Sequence, residues 1–350
     1  MKTDVTDAEF RLAVTVFKAE TLLAMLENRP PMLQIEELDV GLQSTFAMWN
    51  SDGLHIFSQR HEAEPCLRYM HKIHELAKTP PLNVPPVPLV EDIHLALCGL
   101  WARIWRYSRM QYHAQEVDEQ DAEGRFLEER LAFWRVRIER LEERLVDIRG
   151  PSGQFLLGAY AGMGEDETLP GKQDPALRRL KSLEAEAKTL YHLLSIYLFT
   201  DLLALTPLKT SFPPEITPGE GDTDDDPRLR GWTESRRGRA ALFHASATLK
   251  AREESMTLEE AVVASPLASA AVKAAVLVMR AWMNGKRACG PGSHTGSVVD
   301  LAHVVEDKEE AGGGWLEVGG SGPIMLDGVL LCSCAKEAWK RRFAALLASA

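Results

Sequence analysis

The stretch that decides the fold runs from Arg11 to Asn50 and reads RLAVTVFKAETLLAMLENRPPMLQIEELDVGLQSTFAMWN. With Phe10 just ahead of it, the apolar residues Leu12, Val14, Val16, Phe17, Leu22, Leu23, Met25 and Leu26 predict a helix from about Asp7 to Glu27. Thr6 or Asp7 is placed to cap it, and Pro30-Pro31 ends it because a residue before proline is pushed out of the helical region. The apolar residues cover most of the circumference, so this helix is expected inside a bundle. An acidic stretch, Glu36-Glu37-Leu38-Asp39-Val40, then leads to Trp49-Asn50. No residue in the segment is set up for catalysis.

Working outward, the periodicity stays helical. Further helices are predicted at about 54–77, 90–116, 124–149, 175–205, 234–253, 257–284 and 328–348. Pro65 is expected to kink or divide the first of these. Thr79 to Pro88 is too rich in proline for helix and reads as a stiff connector, and residues 150–173 read as a glycine-rich loop. A seam of prolines, glycines and aspartates spans the region from Pro207 to Pro227. The expected organisation is a first helical part over 1–206, an acidic linker over 207–232, and a helical C-terminal part of the same region over 233–350. Near the C-terminus, the region 315–328 carries a minor strand or turn element, with Trp315 to Val318 strand-like in character. The predicted fold class is therefore all-α, a multi-helix bundle.

The bulk composition narrows the function classes. A chain of 350 residues that is 45% hydrophobic and 26% charged can bury a sizeable core and is too apolar for general disorder. Its net charge of -11 argues against a chain that clamps nucleic acid alone, which needs a basic face against the phosphates. Five scattered cysteines (Cys66, Cys98, Cys289, Cys332 and Cys334) do not form a disulfide framework and point to a reducing compartment. The N-terminus lacks the apolar run of a signal peptide. Residues 190–208 approach the length of a bilayer span, but His192 and Asp201 fall inside it, so a buried core helix is the better reading.

Each constellation that resembles a site has a plainer reading. Leu127, Leu131, Trp134, Ile138, Leu141, Leu145 and Ile148 alternate steps of four and three, the spacing of either a dimer seam or a bundle helix; the bundle helix is favoured. Asp222, Asp224, Asp225 and Asp226 resemble a magnesium-holding cluster, but the prolines and glycines around them define a solvated loop. Cys332 and Cys334, His71 and His74, and Cys289 with His294 all lack a third and fourth ligand for zinc. No nucleophile elbow, HExxH, phosphate loop or dinucleotide fingerprint is present. Two basic clusters, Arg228/Arg230/Arg236/Arg237/Arg239 and Lys340-Arg341-Arg342, read as solvated faces before import signals. Trp101 and Trp105 share a helix face, and with Trp282 and Trp339 they lie among apolar neighbours, where core packing is commoner than pocket lining. No catalytic, cofactor-binding or metal-binding residue is assigned.

The opening segment resembles the fungal-specific transcription factor domain, the helical regulatory or middle homology region of fungal gene regulators. The resemblance rests on Arg11, Phe17, Glu20, Asn28, Pro30, Pro31, Glu37, Asp39, Leu42, Trp49 and Asn50. The subgroup carrying N-terminal fingers with two cysteines and two histidines is the most similar. The likeness to that subgroup continues through Trp49 to Leu54, through Glu64-Pro65, and again from Trp315 through Gly328, Leu331, Cys332 and Cys334. It implies a nuclear domain that modulates RNA polymerase II transcription through protein partners, a homo- or heterodimer partner, or a small effector. DNA binding and zinc are properties of the family, and no finger is present in this sequence. The chain is therefore expected to be truncated at its N-terminus, to meet DNA only indirectly, and to carry no zinc. The alternatives are an all-helical enzyme acting on an apolar, isoprenoid-like substrate near Trp101 and Trp105, with metal-binding carboxylates on core helices, or a decayed regulator that competes for dimer partners.

Overall fold

The computed structural model describes residues 3–51, 54–65, 68, 71–77, 88–113, 122–162, 167, 171–205, 227–257, 266–285, 298–304, 314–319 and 322–348. Among them are twelve α-helices and one small three-stranded sheet, so the fold is the all-α bundle with a minor strand element that the periodicity predicts. The chain forms two compact units. Met1–Arg103 with Ala122–Tyr191 make the first, and Ile104–Asp121 with His192–Ala350 make the second.

The first unit contains α1 (Thr3–Leu26), α2 (Phe46–Trp49), α3 (Leu54–Ala63), the start of α4 (Val90–His113), α5 (Ala122–Val146), α6 (Pro151–Ala159) and most of α7 (Asp174–Phe199). The helix predicted over 54–77 is divided: α3 stops before Pro65, and a 3-10 turn follows at Ile73–Ala77. The Leu42 amide donates to the His71 carbonyl and the Ile73 amide to the Val40 carbonyl, which ties this turn to the acidic stretch. On α5, Leu127, Leu131, Trp134, Ile138 and Leu141 are buried in the core of the first unit, whereas Leu145 and Ile148 at the end of the seam are half-buried. Leu190, Leu193, Leu194, Ile196 and Leu198 of α7 are likewise buried core residues.

Two expectations are corrected here. Residues 150–173 are not simply a loop, because α6 starts with Gly150 at its N-cap and Pro151 in its first turn. Proline is well placed there, since the first turn of a helix has no partner for its amide, and Leu156 and Leu157 bury the helix. The second correction concerns α1, which is not enclosed. Val14, Phe17, Thr21, Ala24 and Met25 face inward, while Leu12, Val16, Leu23 and Leu26 are 66%, 49%, 51% and 42% exposed. An apolar circumference states what a helix is able to bury; the number of neighbouring elements decides how much it does bury.

The second unit holds the ends of α4 and α7, then α8 (Pro227–Glu234), α9 (Arg236–Thr257), α10 (Pro266–Gly285), α11 (Trp315–Val318) and α12 (Lys336–Ala348). Helix α10 is long and apolar enough to cross a membrane by length and composition, and 67% of its apolar window is buried in the structure. The sheet joins β1 (Val299–Asp300) in parallel to β2 (Ile324–Leu326), which pairs antiparallel with β3 (Val329–Leu330). Asp327 and Gly328 connect β2 to β3 with φ of 49° and 79°, the left-handed pair a two-residue hairpin demands. Trp315 to Val318, expected to be strand-like, form a single helical turn between Gly314 and Gly319. The glycines at both ends dictate the local conformation more strongly than the strand preference of Trp315 and Val318 does. Helix α12 is anchored by Arg342, which makes a two-pronged contact with Glu253 at 2.7 and 2.6 Å and meets Asp327 at 2.6 Å.

Candidate functional site

In the first unit, most of the residues behind the resemblance have defined local partners. Arg11 donates to the carbonyl and hydroxyl of Ser44, each at 2.8 Å, and lies over the Trp49 ring at 4.5 Å. Phe17 is buried one face round the same helix. Glu20 accepts from Arg29 and from the Met32 amide, both at 2.8 Å, and so clamps the chain on either side of Pro30-Pro31. Asn28 takes a left-handed φ of 49° at the helix end, a conformation asparagine tolerates better than most side chains. Glu37 reaches back to the Gln34 amide at 2.8 Å, Asp39 pairs with Lys72 at 3.0 Å, Leu42 is buried, and Asn50 donates to the Phe46 carbonyl at 2.7 Å. Glu64 accepts from the Thr45 amide and hydroxyl, fixing the start of α2.

The same unit contains a buried polar stripe on α4. Glu91, His94 and Cys98 step by three and four residues and so share a helix face. Tyr160 donates its hydroxyl to Glu91, and burial holds that carboxyl above its ordinary range. Burial keeps His94 neutral and raises the Cys98 thiol to about 12; the two side chains lie 3.6 Å apart. A thiol near 12 is a poor nucleophile at neutral pH. Next to it, Arg68 and Asp92 form a buried two-pronged pair at 2.9 and 2.8 Å, and Asp92 also accepts the Leu89 amide at the start of α4.

Several residues singled out in the sequence have structural places. Trp101 is fully buried and donates to the Arg29 carbonyl, whereas Trp105 is half-buried. Cys334 is exposed and Cys332 half-buried. His71 and His74 belong to the segment around the 3-10 turn, and no group of three or more metal-ligating side chains exists among the described residues. Cys66, Cys289, His294, the Asp222–Asp226 patch, the connector from Thr79 to residue 87, and residues 207–226 of the linker lie outside the described residues. The basic clusters are less solvated than expected. Arg236 pairs with Glu317, Arg237 donates to Tyr107 and to the Leu198 carbonyl, and Arg342 is only 17% exposed.

The second unit contributes a cavity of about 140 Å³. Its walls include Trp282 from α10, Trp315 and Val318 from α11, Ile324 from β2, Glu234, Gly319 and Arg239. Arg239 is 8% exposed and donates to the carbonyls of Leu316 at 2.9 Å, Glu317 at 2.7 Å and Glu234 at 2.7 Å. Those acceptors come from the last turns of α11 and α8, where carbonyls have no partner inside their own helix. Gly319 adopts φ of 75°, and a Cβ there would come within 2.9 Å of the Arg239 guanidinium. The left-handed φ favours glycine at that position. The Trp282 ring is tilted against Trp315 and edge-on to Trp232, each at 6.3 Å. Burial lowers the Arg239 pKa; Glu317 opposes the shift and Arg236 reinforces it. In sequence Arg239 is one member of a basic cluster, and this role is not legible there because its acceptors on α11 lie 77 and 78 residues away. No family model, curated protein or solved structure matches this chain.

Proposed function

We propose that this chain is a regulatory helical domain of the fungal transcription factor type, acting on RNA polymerase II transcription in the nucleus through protein partners or a small effector. The observation that carries the reading is the framework from Arg11 to Glu64. Arg11 bonds to Ser44 and lies over Trp49, and Glu20 bonds to Arg29 and the Met32 amide on either side of the Pro-Pro turn, so several residues of the resemblance have defined structural partners. DNA contact falls to another polypeptide or segment, in keeping with the acidic net charge of -11.

The test is a tethering assay in a fungal cell. The full chain, fused to a heterologous DNA-binding module, is expected to change a reporter several-fold in either direction relative to the module alone. An expressed, folded fusion that leaves the reporter unchanged at several promoters would refute the proposal. Submicromolar sequence-specific duplex binding by the chain alone, read by fluorescence anisotropy at low salt, would refute the assignment of indirect DNA contact.

A further inference from the structure

We infer that the outward face of α1 is a self-association surface, on which a second copy of this chain lays its own α1 in parallel. The first observation is where the apolar side chains sit. Val14, Phe17, Thr21, Ala24 and Met25 are the buried face of α1. At about 100° per residue, the opposite face carries Leu12, Val16, Ala19, Leu23 and Leu26, and all five are exposed. Single exposed leucines are ordinary on a protein surface, whereas a continuous apolar stripe rimmed by polar side chains marks an interaction site. Two more apolar side chains adjoin this one. Trp49 lies exposed beneath the Arg11 guanidinium, and Met32 is exposed beside Glu20, to which its amide donates. Tryptophan, methionine and arginine are among the side chains enriched at protein interfaces.

The spacing and the flanking charges say what covers the stripe. Its steps are four, three, four and three residues, the seam that packs knobs-into-holes against a second helix of the same spacing. Val16 falls at heptad position a, with Leu12 and Leu26 at d, a choice of side chains that favours two parallel strands. Among the described helices, α1 is the one that turns such a seam outward, so a second copy supplies the match, and a two-fold axis pairs a surface with itself. Glu20 and Glu27 border the stripe on one side, Thr15 and Leu22 on the other. Parallel pairing sets the acids of each helix against the uncharged side of its mate, whereas antiparallel pairing sets acid against acid. The acidic border also opposes a lipid surface, which attracts helices bordered by lysine and arginine. From Leu12 to Leu26 the stripe is about 20 Å long, which places the contact at the small end of specific interfaces and makes the dimer a weak one.

The pairing stands independently of the transcriptional reading, because mass is measured on the purified chain alone. Sedimentation velocity of the full chain from about 1 to about 300 µM should show monomer passing to dimer, with a dissociation constant of about 1–100 µM. Val16→Glu combined with Leu23→Glu puts like charges into the seam and should raise that constant at least about tenfold. Both side chains are half exposed, at 49% and 51%, so the circular dichroism spectrum should not change. Should the double variant lose its helical signal, Ala19→Lys, at the exposed centre of the stripe, carries the same test. Leu12→Cys, oxidised beside the wild-type chain, should add a disulfide-linked dimer. Parallel pairing brings the two copies of position 12 together, and antiparallel pairing keeps them roughly 20 Å apart. A chain that stays monomeric to about 300 µM, a dimer that the seam variants leave intact, or a Leu12→Cys chain that links no more than wild type would each overturn the inference.

Discussion

Replacing Arg130 by methionine should make the first unit more stable. Arg130 projects from α5 and is 1% exposed. Its one hydrogen bond goes from Nη2 to the Leu76 carbonyl, while Nε and Nη1 have no partner, and the guanidinium lies 5.4 Å from the Phe133 ring centre. Burial, reinforced by repulsion from Arg137 and Arg103, brings its pKa down to about 10. A cation whose folded pKa is depressed destabilises the folded state at every pH below that value. The penalty fades only as the pH rises through it. Against the ordinary guanidinium value this is about 3 kcal/mol, at roughly 1.4 kcal/mol per pH unit. Methionine removes the charge and keeps an unbranched apolar stem in the same space. It also leaves the Leu76 carbonyl without its donor, which costs about 1–2 kcal/mol. The expected net gain is about 1–2 kcal/mol, a factor of roughly 5–30 in the opening equilibrium. Amide exchange followed by mass spectrometry on peptides from α5 at neutral pH reads that factor directly. Faster exchange by tenfold or more in Arg130→Met would refute the reasoning, since it would mean the cation is favourably held.

Other substitutions test the remaining framework. Asp92→Asn strands the buried Arg68 cation and should cost about 3–5 kcal/mol in denaturant unfolding, far more than removal of a surface charge; a loss under 1 kcal/mol would show that the pair is not desolvated. Burial raises the Glu20 pKa, but the bonds from the Met32 amide and Arg29 outweigh it and hold the carboxyl below its ordinary value. That stabilisation is complete above the ordinary carboxylate range and disappears as the pH falls through the lowered value, so Glu20→Gln should flatten the acid limb of exchange at residues 29–33. Identical acid limbs would remove Glu20 from the account. Ile138→Asp with Leu141→Asp should unfold the first unit, both side chains being 3% exposed. A folded monomer replacing a wild-type dimer, by sedimentation, would instead assign the α5 seam to self-association.

In the first unit, the Glu91 carboxyl, the Cys98 thiol and the His94 imidazole have shifted proton affinities and lie together on α4, a pattern that marks active sites and buried structural networks alike. The partners separate these cases. Glu91 is held by Tyr160 and Asp92 by Arg68, so their polar groups are spent on holding α4 in place. In the second unit, Arg239 gives its bonds to the carbonyls of Leu316, Glu234 and Glu317, and so ties the ends of α8 and α11 to α9.

Most of the helices were legible along the chain because their evidence is local. The apolar spacing from Leu127 to Leu141, the stop at Pro30-Pro31 and the break at Pro65 depend on side-chain period and proline sterics, which act over a few residues. That local information determined the helix class and most of the order of elements by itself. Only the tertiary structure decided that α1 leaves Leu12, Val16, Leu23 and Leu26 uncovered, since exposure depends on which neighbours arrive. It alone decided that Trp315 to Val318 turn as a helix, and that Arg239, one arginine among five in a basic cluster, is the buried one whose acceptors come from distant helix ends. Periodicity records what a residue's neighbours in sequence allow. A binding site is made of residues that meet only after the chain has closed on itself.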